Sequence, residues 1–297
     1  MSGRAVRIDA QAKLNLHLRV LAREDSGFHS IETIFHRIDL ADEVTVEITS
    51  GERTLDTDST EMGSTESNLV WRAALAFAEP TGWPAGFRIE LRKRIPVGAG
   101  LGGGSADAAA VLRALNSLSP RPVDTRALLL IAASLGADVP FLASDSVMAL
   151  AWGRGERLLS LAPLPRREVA LVTPDSSVPT ADAYRWLDED RAAATGEANA
   201  NLPLEISALD LASWDSIARF ARNDFESHVI GRHPAIAQDL ESLRHSGARM
   251  AQMTGSGSTI FGVFDAMPNN ATLREELTGR VTTTMTSIDV VQPASVG

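Results

Sequence analysis

The chain has 297 residues, with 28 Lys+Arg against 38 Asp+Glu for a formal charge of −10, and it is 44% hydrophobic and 22% charged. That balance belongs to a globular protein and excludes a disordered one, and the length suits one large domain or two ordinary ones. The absence of cysteine excludes a disulfide framework, cysteine-ligated zinc and a thiol nucleophile.

Residues 1–18 alternate polar and apolar side chains and contain no signal-peptide core. Leu14, Leu16 and Leu18 alternate with Asn15, His17 and Arg19, the period of a half-buried strand. Lys13 lies on the polar side of that strand, where a solvated ammonium is the default. It is one of only two lysines, the other being Lys93; a GC-rich genome that favours Arg codons explains the 26 arginines. Ile34, Ile38, Val44, Val46 and Ile48 continue the β character. Residues 67–79 predict a helix with Ser67 as N-cap, and Phe87, Ile89 and Leu91 predict a strand. A glycine-rich loop at 96–104 leads into an Ala-rich helix from Ser105 to Leu118, and a second helix follows over 124–135. The apolar run at 127–135 is far short of the ~20 residues a membrane span needs.

Residues 162–168, with two prolines, read as a linker. Beyond it the pattern predicts a strand over 169–172, helices near 180–194, 213–230 and 234–245, strands near 248–253 and 258–264, a helix near 270–278 and a last strand near 281–291. Strands and helices mix without strict alternation, which favours an α+β fold. Residues 1–160 hold 17 Lys+Arg and 20 Asp+Glu; residues 161–297 hold 11 and 18. No basic stripe forms, so neither nucleic acid nor a membrane is expected as a partner, and the cytoplasm is the expected setting.

The strongest local signal is Pro96, Val97, Gly98, Ala99, Gly100, Leu101, Gly102, Gly103, Gly104, Ser105, Ala106, with five glycines in seven residues. Such a loop lets the backbone approach a ligand, and the helix start behind it offers unpaired N–H groups and the positive end of a dipole. Together they form a phosphate cradle; the bland alternative is a tight strand–helix turn. A Walker A loop needs Lys after the late glycine, where Ser105 stands. A dinucleotide fingerprint fits formally, but Arg92, Lys93 and Arg94 replace the apolar strand it requires. The HRD and DFG segments of protein kinases are missing.

The stretch PVGAGLGGGSADAAA at 96–110 resembles the phosphate-binding motif of the GHMP kinases. Residues 12–16 (AKLNL) with 27–33 (GFHSIET), 135–141 (LGADVPF) and 253–258 (MTGSGS) narrow the resemblance. They resemble the branch of that family that acts on 4-diphosphocytidyl-2-C-methylerythritol, in order over about residues 10–265. The resemblance implies a two-domain fold, with an ATP-binding and catalytic half at 1–160 and a ferredoxin-like, substrate-side half at 161–297. It implies transfer of the γ-phosphoryl of ATP to a tertiary 2-hydroxyl in non-mevalonate isoprenoid synthesis, with Mg²⁺ carried by ATP.

It also implies roles. Lys13 and Asp138 form the catalytic pair. Residues 96–106, Asn68 and Lys93 serve ATP. Asn15 and His29 read the cytosine edge, Phe28 and Tyr184 pack on the base, and Thr180 lies on the substrate side. No metal ligands are assigned within the chain. The bland readings are turn chemistry for Asp138, a solvated edge charge for Lys93, core packing for Tyr184, a surface or core imidazole for His29, and a hairpin turn for Gly255, Ser256 and Gly257. Two positions depart from the family pattern: Phe28 where Tyr is common, and Ala106 where a second Ser is common. The alternatives are a GHMP kinase for homoserine, mevalonate or another small alcohol, and a nucleotide-binding regulator without turnover.

Overall fold

A computed structural model describes residues 4–60, 63–174, 178–193, 206–267, 280–288 and 291–294. The expected helix near 270–278 lies outside these residues.

The first sheet is built on two long antiparallel strands, β1 (Ala5–Arg23) and β2 (His29–Thr49). The far part of β2 pairs with β4 (Gly86–Arg92), which carries β3 (Arg53–Thr57) parallel at its edge. The near part of β2 pairs with β5 (Met148–Gly153), followed by β6 (Arg157–Leu161). Helices α1 (Leu69–Thr81), α2 (Gly103–Leu118), α3 (Thr125–Ala133) and α4 (Val139–Ala143) belong to this half, and α2 packs on both β1 and β2. Strand β11 (Gln292–Ala294) returns to the free edge of β1.

The second sheet is antiparallel, in the order β10 (Arg280–Thr283), β7 (Glu168–Val172), β9 (Ile260–Phe264), β8 (Met250–Met253). In chain order that is fourth, first, third, second, the arrangement of a ferredoxin-like unit. Helices α5 (Thr180–Ala193), α6 (Trp214–Phe220), α7 (Glu226–Ile230) and α8 (Pro234–His245) lie between β7 and β8 in the chain. The α+β class holds for the whole chain.

Several local expectations are corrected. Strand β1 is not half-buried, because both of its faces are covered along residues 10–20. Lys13, Asn15 and His17 are 3%, 3% and 0% exposed, so Lys13 is not a solvated cation. Helix α1 is capped by Asn68, whose Oδ1 accepts the Val70 N–H at 2.9 Å, and Ser67 closes a short 3₁₀ turn before it. The single helix expected over 213–230 breaks into α6 and α7. Between them the chain runs against β1: the Leu18 N–H donates to Arg222 O at 2.7 Å and the Asp224 N–H to Leu18 O at 2.9 Å. Tertiary pairing overrides helical propensity there.

Candidate active site

The loop after β4 and the start of α2 form one wall of a cleft of about 1730 Å³ that runs between the two sheets. Gly98, Gly100 and Gly102 have φ of +69°, +77° and +73°. At Gly100 this is reinforced by contact, since a Cβ would overlap the carbonyl oxygen of Thr254. At Gly102 a Cβ would come within 3.0 Å of Lys13 Cε. Helix α2 begins two residues earlier than its sequence suggests, at Gly103, because Gly102 in the left-handed region serves as N-cap. No side chain caps it, and Gly103, Gly104 and Ser105 line the cleft. The N–H groups of a first helical turn have no partner within the helix and suit an anion.

Lys13 reaches this wall from β1. Its Nζ donates to Asn15 Oδ1 at 2.7 Å and to Gly100 O at 3.0 Å, and stands 3.3 Å from Asp138 Oδ2. Asp138 occupies the N-cap position of α4 but makes no cap hydrogen bond, so its carboxylate is not used for turn chemistry. Its side chain is 28% exposed toward the cleft, against 4% for Lys13. Asn15 is fixed on all sides: Nδ2 donates to Thr33 Oγ1 at 2.8 Å, and its N–H donates to Thr254 Oγ1 at 3.0 Å.

Lys93 is not a solvated edge charge. It donates to Asp42 Oδ2 and, at 2.8 Å, to Asp107 Oδ2, and both carboxylates are fully buried. Burial pulls the Lys93 ammonium down, but the two carboxylates outweigh that, and its pKa lies above the ordinary lysine value.

At the other end of the cleft, His29 Nε2 pairs with Asp188 Oδ1 at 2.8 Å. Tyr184 stacks on His29 at 4.8 Å and meets Phe225 edge-on at 4.8 Å. Burial, with the Asp138 charge nearby, pushes the Tyr184 phenol up to about 12. Phe28 is 58% exposed, with the Arg154 guanidinium 4.1 Å above its ring. Phe28 and Tyr184 both line the cleft, and aromatic rings there offer a planar ligand stacking faces. Thr180 Oγ1 and Ser256 Oγ share a hydrogen bond of 3.0 Å, which ties α5 to the second glycine loop. That loop is both the β8–β9 turn and a neighbour of the first: a Cβ on Gly255 would come within 3.0 Å of Gly100 O.

The cleft thus brings together Lys13, Asn15, Phe28, His29, Lys93, Asp138, Thr180, Tyr184 and most of residues 96–105. Leu101 and Ala106 are buried beneath the loop at 1% and 2% exposure. Asn68 is engaged as the cap of α1, and its neighbour Leu69 lines the cleft instead. Among the described residues no group of three or more His, Cys, Asp or Glu converges as a metal cage. No helix among them is long and apolar enough to cross a membrane.

Other residues that shape the site were missed in the sequence. Arg37, buried under Asp138's helix, donates to the carbonyls of Phe141, Leu142 and Ser144 at 2.9, 3.0 and 3.0 Å. Asn223 Nδ2 donates to Met253 O and Gly255 O, both at 2.8 Å. Asp107 does give a signal in the sequence, as a lone carboxylate on the apolar face of an Ala-rich helix.

The model of the GHMP kinases N terminal domain matches residues 68–146, and that of the GHMP kinases C terminal matches 206–277. A 4-diphosphocytidyl-2-C-methyl-D-erythritol kinase of Deinococcus radiodurans is 39% identical over 86% of this chain and 82% of its own length. One from Solibacter usitatus is 39% identical over 94% of this chain and 87% of its own. A crystal structure of a 4-(cytidine 5'-diphospho)-2C-methyl-D-erythritol kinase superposes with a TM-score of 0.74 at 35% identity, covering 94% of this chain and 98% of that one. A homoserine kinase from Cytophaga hutchinsonii shares the fold, with a TM-score of 0.68 at 20% identity over 98% of this chain and 97% of its own.

Proposed function

This chain belongs to the GHMP kinases, among the 4-diphosphocytidyl-2-C-methyl-D-erythritol kinases, and we propose how its own residues carry out that reaction. The enzyme transfers a phosphoryl group from ATP to the 2-hydroxyl of its substrate, a step in non-mevalonate isoprenoid synthesis. The observation that carries the mechanism is the Lys13–Asp138 pair, 3.3 Å apart, beside the uncapped start of α2.

Phosphoryl transfer is mostly positioning and charge stabilisation around an in-line displacement. In this reading the N–H groups of the loop and of Gly103, Gly104 and Ser105 hold the β- and γ-phosphates. Asp138, the more exposed of the pair, accepts the proton of the crowded tertiary alcohol. Lys13, 3.3 Å from Asp138, orients that carboxylate and stabilises charge on the forming alkoxide and the transferring group. Mg²⁺ would be carried in with ATP, since no carboxylate cage converges among the described residues, and it would supply charge neutralisation. The cytosine is read at the other end by His29 and stacks between Phe28 and Tyr184; Asn15, also expected to read it, is held by Lys13, Thr33 and Thr254 at the catalytic end and positions the Lys13 ammonium there. In this reading residues 1–160 are the ATP-binding and catalytic half and 161–297 the substrate-side half, which supplies Tyr184 and Thr180, except that β11 returns to the first sheet. The cytoplasm, where ATP is supplied, is the fitting compartment.

The aromatic end of the cleft disfavours a homoserine or mevalonate kinase, whose substrates have no base. The test is ADP release with ATP, Mg²⁺ and each alcohol. Turnover of the cytidyl substrate alone is expected. Turnover of only mevalonate or homoserine would sink the assignment, and no turnover of any alcohol would favour a binding protein.

A further inference from the structure

Two carboxylates and one ammonium are buried directly behind the start of α2. Asp42, on β2, accepts the N–H groups of Arg94 and Ile95 on Oδ1, the latter at 2.8 Å, and so fixes the turn that leaves β4. Its Oδ2 takes Lys93, and Lys93 crosses to Asp107 on the second turn of α2. The triad therefore anchors both ends of the loop at 96–102. Gly103 lies over it, since a Cβ there would stand 3.4 Å from Lys93 Nζ. Asp107 Oδ1 is shut off from water and has no hydrogen-bond partner. A bare buried oxygen is costly on an ionised carboxylate and much less so on a neutral carboxyl.

We propose that Asp107 is a proton-linked positioning residue for ATP: with Asp42 and Lys93 it holds the start of α2 in place, and it takes a proton from solvent as the triphosphate settles on Gly103, Gly104 and Ser105. The inference rests on the reading that this loop holds the ATP phosphates. With both carboxylates ionised the triad carries one net negative charge; with Asp107 protonated it is neutral. A triphosphate in front of the helix start favours the neutral form, by simple repulsion. Burial pushes Asp107 up to about 8, with Lys93 pulling it down and Asp42 adding to the rise. Those two are the charged groups that act on it most; Lys13, from β1, lies beyond Gly102. The helices α1 and α4, which pack on α2, bury only apolar residues against the core. The sign follows. Protonated Asp107 binds ATP better, so affinity falls as pH rises from 7 to 9.

The experiment is titration calorimetry of the full chain with Mg²⁺ and a non-hydrolysable ATP analogue at pH 8, in two buffers of different ionisation enthalpy, together with KM for ATP from pH 7 to 9. Wild type is expected to take up a fraction of a proton, and its KM to rise about three- to tenfold across that range. Asp107→Asn is expected to bind with no uptake and to show a flat KM. Binding by wild type without proton uptake would overturn the inference, and that result needs no variant to fold. Equal uptake by Asp107→Asn would overturn it too, leaving the triad a purely structural clamp. Failure of wild type to bind the analogue at all would instead refute the ATP reading on which the inference rests.

Discussion

Lys13 has no room to be an arginine. Its Nζ is shared among Asn15 Oδ1, Gly100 O and Asp138 Oδ2 at 2.7, 3.0 and 3.3 Å. Its stem runs against Gly102, where even a Cβ would be 3.0 Å from Cε. A planar guanidinium is wider than that slot and cannot present a point charge to all three oxygens. Lys13→Arg is therefore expected to lower kcat by about 100-fold or more, with the melting temperature moved far less. A near-wild-type rate in the ADP-release assay would show that charge alone is required. The base end separates by ligand. Phe28→Ala and Tyr184→Ala are expected to raise KM for the cytidyl substrate about tenfold, the loss of one stacking face, while KM for ATP stays put. Equal losses for the two ligands would contradict the stacking roles.

At the scale of elements, the clearest test lies at α1. Asn68 is 5% exposed and its side chain accepts the Val70 N–H at 2.9 Å. Asn68→Ala is expected to cost about 1 kcal/mol, or about 2 °C in melting temperature, the usual loss of an N-cap. If KM for ATP also rises severalfold, Asn68 serves the nucleotide as well as the helix. The same element shows what a sequence can and cannot give. The apolar period announced α1, but Ser67 and Asn68 are both good caps, and only the geometry of the preceding 3₁₀ turn chooses between them. The glycine loop and α2 were legible because composition alone restricts what such a backbone can do. The burial of Lys13 was not, because alternation on β1 says nothing of what covers its polar face. Nor was the Lys93 triad, whose partners Asp42 and Asp107 come from another strand and from a helix. The break between α6 and α7 was hidden for the same reason: residues 221–225 answer to β1, not to their own neighbours.

Among the described residues the two sheets carry two hydrophobic clusters, and each draws on both halves: Leu18, Val20 and Ile31 of β1 and β2 pack into the second, with α5, α7 and α8. Val169, Leu171, Trp214, Ile217, Met250, Phe261 and Val263 from the second half join the cluster built on β1, β2 and α2. Backbone bonds from Leu18 to Arg222 and Asp224 stitch the halves along β1. Cooperative units follow shared packing, so a single unfolding transition is expected in calorimetry. His36 gives that joint a pH dependence. It is fully buried on β2 and stacks on Trp214 of α6 at 5.6 Å. Its Nδ1 donates to Arg37 O at 2.8 Å, while Nε2 is buried without a partner. Burial, only partly offset by that carbonyl, holds its pKa down to about 4. The unfolded chain protonates near 6.5, so between there and about 4 it binds a proton that the native state refuses. Stability is full above 6.5 and falls as pH drops through this window, by about 3 kcal/mol from this residue. His36→Phe keeps the ring against Trp214, and Arg37 O retains its bond from the Met285 N–H at 3.2 Å. The variant is therefore expected to lose less stability than wild type between pH 6.5 and 4.5, read as a smaller fall in melting temperature. Parallel falls in the two proteins would place the acid sensitivity elsewhere. Two transitions in wild type would show that the halves unfold independently despite the packing they share.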